Sequence, residues 1–332
     1  MKGYGLLILL TALCLLLLPL PAFPFQSTAA AAPPKQQDST SLDKSDATDE
    51  KNANQATFRI LCDKQVVELD ERDFLIRTLA FEMSPTYHTE ALKAQTVAAY
   101  TYYGRRREAQ RANPDAALLG ADFATPDASF PAEYTAEKLK ARWSSAYTEH
   151  YNKLCKVVDA VLGETIRRDG QLIDACYFAI SNGCTESAKT VWGTDIPYLQ
   201  SVASPGDKLS PDYETKVTCS DEQIKNALAG EQNVTLPADA TTWFGEPTLS
   251  AAGTVASIPV GNSNLPGTKV RALFGLRSAS FTVTRQKDGW LFTVHGYGHG
   301  VGMSQYGADY LARQGYTYKE ILCYYYTGVV IE

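Results

Sequence analysis

Four places along the chain hold residues whose type and spacing could do chemistry. The first is Glu82. It follows Leu79 by three residues and Leu75 by seven, so on a helix its carboxylate falls on the apolar stripe. Burial disfavours a charged carboxylate, which raises its pKa and lets it donate a proton near neutral pH. A glutamate at a helix end just before a proline, here Pro85, is more often simply solvated. The second place is Gln95, within the apolar stripe of the next helical stretch, with Lys93 beside it. A core-facing Gln needs hydrogen-bond partners. The blander outcome puts one or both at the edge of the packed face, with Lys93 reaching into water.

The third place is Ser181-Asn182-Gly183-Cys184-Thr185-Glu186, directly after a strand-like run. Small polar residues there suit a plain turn. They also suit a loop lining a cleft, where backbone can approach a sugar closely. Trp192 follows, and an indole face can stack on a sugar ring, though such a Trp is more often core. The fourth is the stretch from His295 to Ala308, with glycine at every second position from Gly296 to Gly302. It is not GxGxxG, because the third glycine position holds Val301 or Met303, so no dinucleotide site follows. It is not GxSxG, because Tyr306 separates Gln305 from Gly307. His295 and His299 lack a third ligand nearby, so no metal and no other cofactor is expected. Substrate-lining or packing roles suit His299 and Gln305 better.

The elements that must position these residues follow from periodicity and turn signals. Thr57 to Leu69 alternates and is β-rich, a strand or hairpin. Asp70 to Asp73 begins a helix whose stripe is Phe74, Leu75, Leu79 and Met83 and which ends by Pro85. Thr89 can cap a second helix from Glu90 to about Gln110, with Leu92, Gln95, Thr96, Ala99 and Tyr103 on one face. Ala112 to Phe130 reads as loop and Ala136 to Tyr151 as helix. Val157 to Ile166 and Leu172 to Ile180 suggest a hairpin turning at Asp169-Gly170. Asp221 to Ala229 is a short helix, and Lys269 to Thr284 with Trp290 to Val294 a second hairpin. Tyr318 to Tyr326 closes the chain as a helix. Helices and strands mix without regular alternation, which predicts an α+β fold rather than a doubly wound sheet.

Ahead of this part, Lys2 and the apolar run from Leu6 to Leu20 read as a leader over residues 1–25, either a cleaved signal or a single-helix membrane anchor. Both place the rest of the chain outside the cytoplasm. Residues 26–56 are rich in Ser, Thr, Ala, Pro, Asp, Lys and Gln and read as a disordered tether. Residues 57–332 then form one large mixed domain. Net charge is −6, with no basic face, which sets nucleic acid aside. Of seven cysteines six lie beyond the leader and none forms a CxxC pair. Free thiols and a disulfide are both open there.

Taken together these segments resemble the stage II sporulation protein D family. The carriers are Leu79-Ala80-Phe81-Glu82-Met83-Ser84, the run from Glu90 to Ala99, Ser181 to Glu186, Phe274 to Ser278, and Gly296 to Ala308, with Ile321-Leu322 and Tyr324-Tyr325 near the end. Their order and rough spacing hold from about Phe58 to Glu332. The resemblance implies a peptidoglycan lytic transglycosylase that cuts between N-acetylmuramic acid and N-acetylglucosamine in strands stripped of stem peptides, during forespore engulfment. It implies two partners, the amidase stage II sporulation protein P and the membrane scaffold stage II sporulation protein M, and it favours the anchor over the cleaved signal. Glycosidases ordinarily use two carboxylates, whereas such an enzyme needs one, and Glu82 is the residue expected to serve. Lys93, Gln95, Ser181, His299 and Gln305 are expected to position sugar or support it. Two positions depart from the family pattern. Tyr100 stands where an arginine is usual, and Phe178 stands where some members carry a metal-binding His near Cys184, so no structural zinc is expected. The alternatives are a non-catalytic wall-binding protein that stimulates an amidase and, third, a metal-dependent amidase or peptidase.

Overall fold

A computed structural model describes residues 57–125 and 130–332. The leader and the tether lie outside the described residues. Strands β1 (Thr57–Cys62) and β2 (Gln65–Asp70) pair antiparallel around Asp63 and Lys64, both at positive φ, as a two-residue hairpin matched to strand twist requires. Asp70 then accepts hydrogen bonds from the backbone N–H groups of Arg72 and Asp73 and caps helix α1 (Glu71–Glu82). Met83 is extended and ends that helix two residues before Pro85.

Helix α2 (Thr89–Ala112) is capped one residue earlier than the hydroxyl of Thr89 suggests. His88 is extended, and its Nδ1 accepts from the Glu90 N–H at 3.3 Å, while its own N–H donates to Asp309 at 2.5 Å. A ring nitrogen thus does the work expected of a hydroxyl. Strand β3 (Phe123–Ala124) adds parallel to β1. The helix expected from Ala136 to Tyr151 is two helices, α3 (Ala136–Trp143) and α4 (Tyr147–Val161), broken where Ser144 takes a positive φ. Val157 and Val158 belong to α4 and not to a strand. Their apolar spacing suits either state, and the core contact settles it. The hairpin itself is β4 (Ile166–Arg168) with β5 (Gln171–Leu172), turning at Asp169 and Gly170 as expected.

Strand β6 (Tyr177–Phe178) follows, then the short helix α5 (Ala188–Trp192). The next segment builds a second unit of structure: strand β7 (Glu214–Cys219), helix α6 (Asp221–Leu228), strands β8 (Thr248–Leu249), β9 (Val255–Val260) and β10 (Ser263–Pro266), helix α7 (Gly267–Leu273), and the hairpin β11 (Phe281–Gln286) with β12 (Gly289–His295). Lys269 to Leu273 is therefore helical rather than strand. Strand β13 (Met303–Ser304) pairs parallel with β6, and helices α8 (Gln305–Arg313) and α9 (Tyr318–Tyr325) end the fold with a last strand, Val330–Ile331. The architecture is α+β.

Apolar side chains gather in two clusters. The first joins α1, α2, α4 and α9 to the β1–β2 hairpin through Phe58, Phe74, Leu79, Leu92, Leu154 and Tyr325. The second packs two three-stranded sheets with α6 and α7 through Ile224, Trp243, Ile258, Val270 and Phe292. The glycine-rich run stitches the two together. Tyr297 and Ile180 exchange both backbone hydrogen bonds, Gly300 accepts from the Glu186 N–H, and Met303 donates to Cys176. Gly298 has a φ of +120°, and a Cβ there would lie 2.6 Å from the Phe178 Cβ. That close approach is what the absent side chain permits. Among the described residues no helix is long and apolar enough to cross a membrane.

Candidate active site

Three segments far apart in sequence converge on the end of α1. Glu82 is its last residue and is half-buried. Its Oε1 accepts from the Tyr177 phenol at 3.3 Å, and its Oε2 accepts from the Gln305 amide at 3.2 Å. The same Gln305 nitrogen lies 3.4 Å from Oε1 of Gln95, which is fully buried on α2. Among the described residues the amide nitrogen of Gln95 has no hydrogen-bond partner, a buried donor beside the Glu82–Gln305 pair. Phe81, the neighbour of Glu82, packs on Phe130 and Tyr134 and fixes the helix end.

Local capping sets the donors. Gln305 opens α8, and the Ser304 hydroxyl caps that helix by accepting from the Gly307 N–H at 3.2 Å. Ser304 in turn donates to Asp207 at 2.8 Å. Asp207 is fully buried and also accepts from the backbone N–H of Ser181 at 2.9 Å and from the Ser181 hydroxyl. One carboxylate thereby holds the turn after β6 and the start of α8 in fixed relation. Burial raises its pKa, and the Ser181 and Ser304 hydrogen bonds act against that rise. Burial keeps the phenols of Tyr177 and of Tyr103 neutral.

The electrostatics of Glu82 follow from this cage. Desolvation pushes its pKa up to about 7, and the Gln305 and Tyr177 donors pull against that rise. Among the described residues no second acid or base contributes to the shift. A carboxyl group protonated for roughly half the time near neutral pH can give and take a proton.

The other expected residues are distributed differently. Lys93 donates to Glu90 at 2.7 Å and lies 5.5 Å from the Tyr318 ring, tying the start of α2 to α9. Ser181 meets Asp207, as above. Consecutive strand residues face opposite sides, so Tyr177 turns toward Glu82 while Phe178 turns toward His299, whose ring is 5.6 Å away. His299 accepts from the Val301 N–H at 3.1 Å and also packs on the half-buried Trp192. Burial, with the Arg271 charge nearby, pushes its pKa down to about 4, so it is neutral at physiological pH. The structure therefore joins Glu82, Gln95 and Gln305, and places Ser181 and His299 on contacts across the ribbon from them.

Sequence reasoning passed over Tyr177 and Asp207. The run Tyr177-Phe178-Ala179-Ile180 reads as plain core, and only the period-2 argument, applied with Glu82 in mind, separates Tyr177 from Phe178. Asp207 carries no sequence signal beyond its neighbouring Pro205-Gly206. Tyr100, noted above as a departure from the family pattern, donates to Glu71 at 2.9 Å, and Arg107 pairs with the other oxygen of Glu71 at 2.5 Å. Cys184 has its sulfur 3.2 Å from the Ser201 hydroxyl, and all six described cysteines are free thiols. Among the described residues no group of three or more His, Cys, Asp or Glu is placed to hold a metal.

Comparison with known proteins covers both the helices and the later site residues. The family profile described as Stage II sporulation protein matches residues 63–167, which include Glu82 and Gln95. A stage II sporulation protein D from Bacillus subtilis (strain 168) is 32% identical over 98% of this chain and 94% of its own length. One from Bacillus amyloliquefaciens is 36% identical over 78% of this chain and 73% of its own. A protein named Amidase enhancer, also from Bacillus subtilis (strain 168), is 28% identical over 75% of this chain but 39% of its own length. With that identity carried along nearly the whole of a relative, the chain belongs to the stage II sporulation protein D family.

Proposed function

We propose that the protein is a peptidoglycan lytic transglycosylase acting on peptide-stripped glycan strands in sporulation, with Glu82 as its only acid and base. The observation that carries this reading is the Glu82 carboxyl group, raised to about 7 and bonded by two neutral donors, Tyr177 and Gln305. In the first step protonated Glu82 gives its proton to the glycosidic oxygen between N-acetylmuramic acid and N-acetylglucosamine. The C1–O bond breaks and positive charge develops at C1. The carboxylate then removes the proton from the muramyl C6 hydroxyl, whose oxygen closes on C1. The product is a 1,6-anhydromuramyl end, and Glu82 is protonated again. No water is consumed and no second carboxylate is required, in contrast to ordinary glycosidases. Tyr177 and Gln305 hold the carboxylate between the two steps and stabilise its ionised form. Lys93, Ser181 and His299 belong to the proposal as outlying residues that support the sugar-binding face.

Residues 1–25 as a membrane anchor and 26–56 as a tether would set the domain, residues 57–332, against the wall. An amidase, stage II sporulation protein P, and a scaffold, stage II sporulation protein M, are the partners the family resemblance supplies. The purified chain and its Glu82→Gln form, incubated with peptide-free glycan strands, test the reading by product mass. Anhydromuramyl ends from the parent alone are expected. Cleavage by both forms would move the acid elsewhere. A second reading is favoured by the relative named Amidase enhancer. In it the chain binds wall without cutting and stimulates an amidase, and strand binding by both forms with no cleavage would select it.

A further inference from the structure

Between the two apolar clusters lies a cleft of about 280 Å³ that does not include Glu82. Its lining includes Ser181, Glu186, Arg271, Ser278, Ser280 and His299. Two charged groups in it have unused hydrogen-bonding capacity. Arg271, on α7, is half-buried and donates from Nε to the Leu276 carbonyl at 3.3 Å. Among the described residues no carboxylate pairs with it. A guanidinium has five N–H donors in a planar fork, and that fork fits a carboxylate with two parallel bonds. A half-buried cation without a counter-ion is unfavourable until an anion arrives.

Glu186 supplies the complementary half. It is 2% exposed and is held rigidly, because the hydroxyls of Ser250 and Thr254 both donate to its Oε1, the latter at 2.5 Å. Its Oε2 takes no hydrogen bond among the described residues. A fixed carboxylate in the lining of a cleft, with one oxygen unused, is a hydroxyl acceptor. The volume lies at the small end for ligand sites, room for one ring rather than an extended chain.

We infer that this cleft is a binding site for a single acidic sugar residue, with the sugar's carboxylate on Arg271 and a hydroxyl on Glu186. The proposed function enters only to name the sugar. In a peptide-stripped strand the acidic residue is the muramyl unit with its lactyl carboxylate free. A stem peptide converts that carboxylate to a neutral amide and adds bulk that the cleft has no room for. The site would then hold a strand at a muramyl unit away from the bond being cut and would favour stripped strands over peptide-bearing ones.

The test is binding of N-acetylmuramic acid, N-acetylglucosamine and D-lactate to the purified chain, measured by titration. N-acetylmuramic acid is expected to bind at least tenfold more tightly than either of the others. Arg271→Gln is expected to remove that preference, and Glu186→Gln to weaken the acidic sugar several-fold. Equal binding of the two sugars overturns the inference, and so does an unchanged preference in a folded Arg271→Gln chain. Lactate binding as tight as the sugar's would leave a bare carboxylate site and overturn the sugar assignment. If Arg271→Gln fails to fold, the comparison of the two sugars on the parent chain decides. The readout needs no bond cleavage. A chain that binds the acidic sugar through Arg271 but cuts nothing keeps this inference and loses the transglycosylase reading, while one that cuts strands and ignores the free sugar does the reverse.

Discussion

The carboxamide of Gln305 stands 3.2 Å from the carboxylate of Glu82, although 223 positions separate them in the chain. Each residue ends or begins a helix, Glu82 as the last of α1 and Gln305 as the first of α8. Their meeting is a property of the packed fold, because neither helix would place its terminus there alone. Gln305 is neutral, so it can hold Glu82 without fixing its charge. A lysine or arginine in its place would pull the carboxyl group far below neutrality, and it would no longer hold a proton near pH 7.

The pH profile is the first consequence. If Glu82 must start protonated, kcat/KM for strand cleavage is expected to fall tenfold per pH unit above about 7, the value to which burial pushes it. A profile flat from pH 6 to 9 with the parent chain would remove Glu82 as the acid. Glu82→Gln is expected to lower kcat by at least about a hundredfold.

Tyr177 and Gln305 give a separable effect. Both donate to Glu82 and both lower its pKa against the desolvation that raises it. Tyr177→Phe and Gln305→Leu are therefore expected to shift the alkaline limb to higher pH as well as to reduce the rate. A residue that only fills space would reduce the rate and leave the limb in place. The profile measured on each variant distinguishes the two.

The same carboxyl group leaves a mark on stability. Its pKa is 4.5 when unperturbed and about 7 in the folded chain, so between those values the folded state binds more protons than the unfolded state. Its contribution to stability is complete below pH 4.5 and declines as pH rises to about 7. Glu82→Gln has no such term. The melting temperature of the Gln form relative to the parent is expected to climb across that interval and level off above it. A constant difference from pH 4 to 8 would show that burial does not perturb the group.

Much of this arrangement is legible in the sequence, for a physical reason that also marks the limit. Leu75, Leu79 and Glu82 share one helical face, so local periodicity is enough to put the Glu82 carboxyl group against the core. Leu92 and Gln95 follow by the same rule. The hairpin turn at Asp169-Gly170 announces itself through residues that accept positive φ. Periodicity says nothing about which faces meet, and so the role of Tyr177 stays hidden among core aromatics. It also does not separate Val157 in a helix from Val157 in a strand. Lys93 shows the converse failure, since its sequence proximity to Gln95 suggests a shared site, but two residues along a helix point to different sides and Lys93 joins Glu90 instead.

Asp207 tests whether the cage depends on a remote support. It receives hydrogen bonds from Ser181 and Ser304 and is fully buried. Asp207→Ala strands those donors and is expected to destabilise the chain by about 3 kcal/mol, a fall in melting temperature on the order of 10 °C for a domain of this size. Ser304→Ala removes one of these bonds and the α8 cap, and about 1 kcal/mol is expected. Because Ser304 directly precedes Gln305, both variants are also expected to lower cleavage more than the loss of folded protein explains. Activity that tracks only the folded fraction would make Asp207 a support of the fold alone.

The glycine-rich run offers the sharpest comparison of backbone conformation with close packing. Gly298 has a φ of +120° and its missing Cβ would lie 2.6 Å from the Phe178 Cβ. Gly315 has a φ of +94° with open space around the same position. Alanine at Gly315 carries only the conformational strain, about 1–2 kcal/mol. Alanine at Gly298 carries that strain and must also displace β6, and a cost of about 3 kcal/mol or more is expected. Phe178 adjoins Tyr177, so the displacement reaches the phenol that bonds Glu82. Gly298→Ala is therefore expected to lower both the melting temperature and the cleavage rate at a temperature where the variant is fully folded, while Gly315→Ala lowers the melting temperature alone. Equal melting temperatures for the two variants would mean that the seam between residues 296–302 and 176–186 yields easily, and that β6 is not held in place by the absence of a side chain at Gly298.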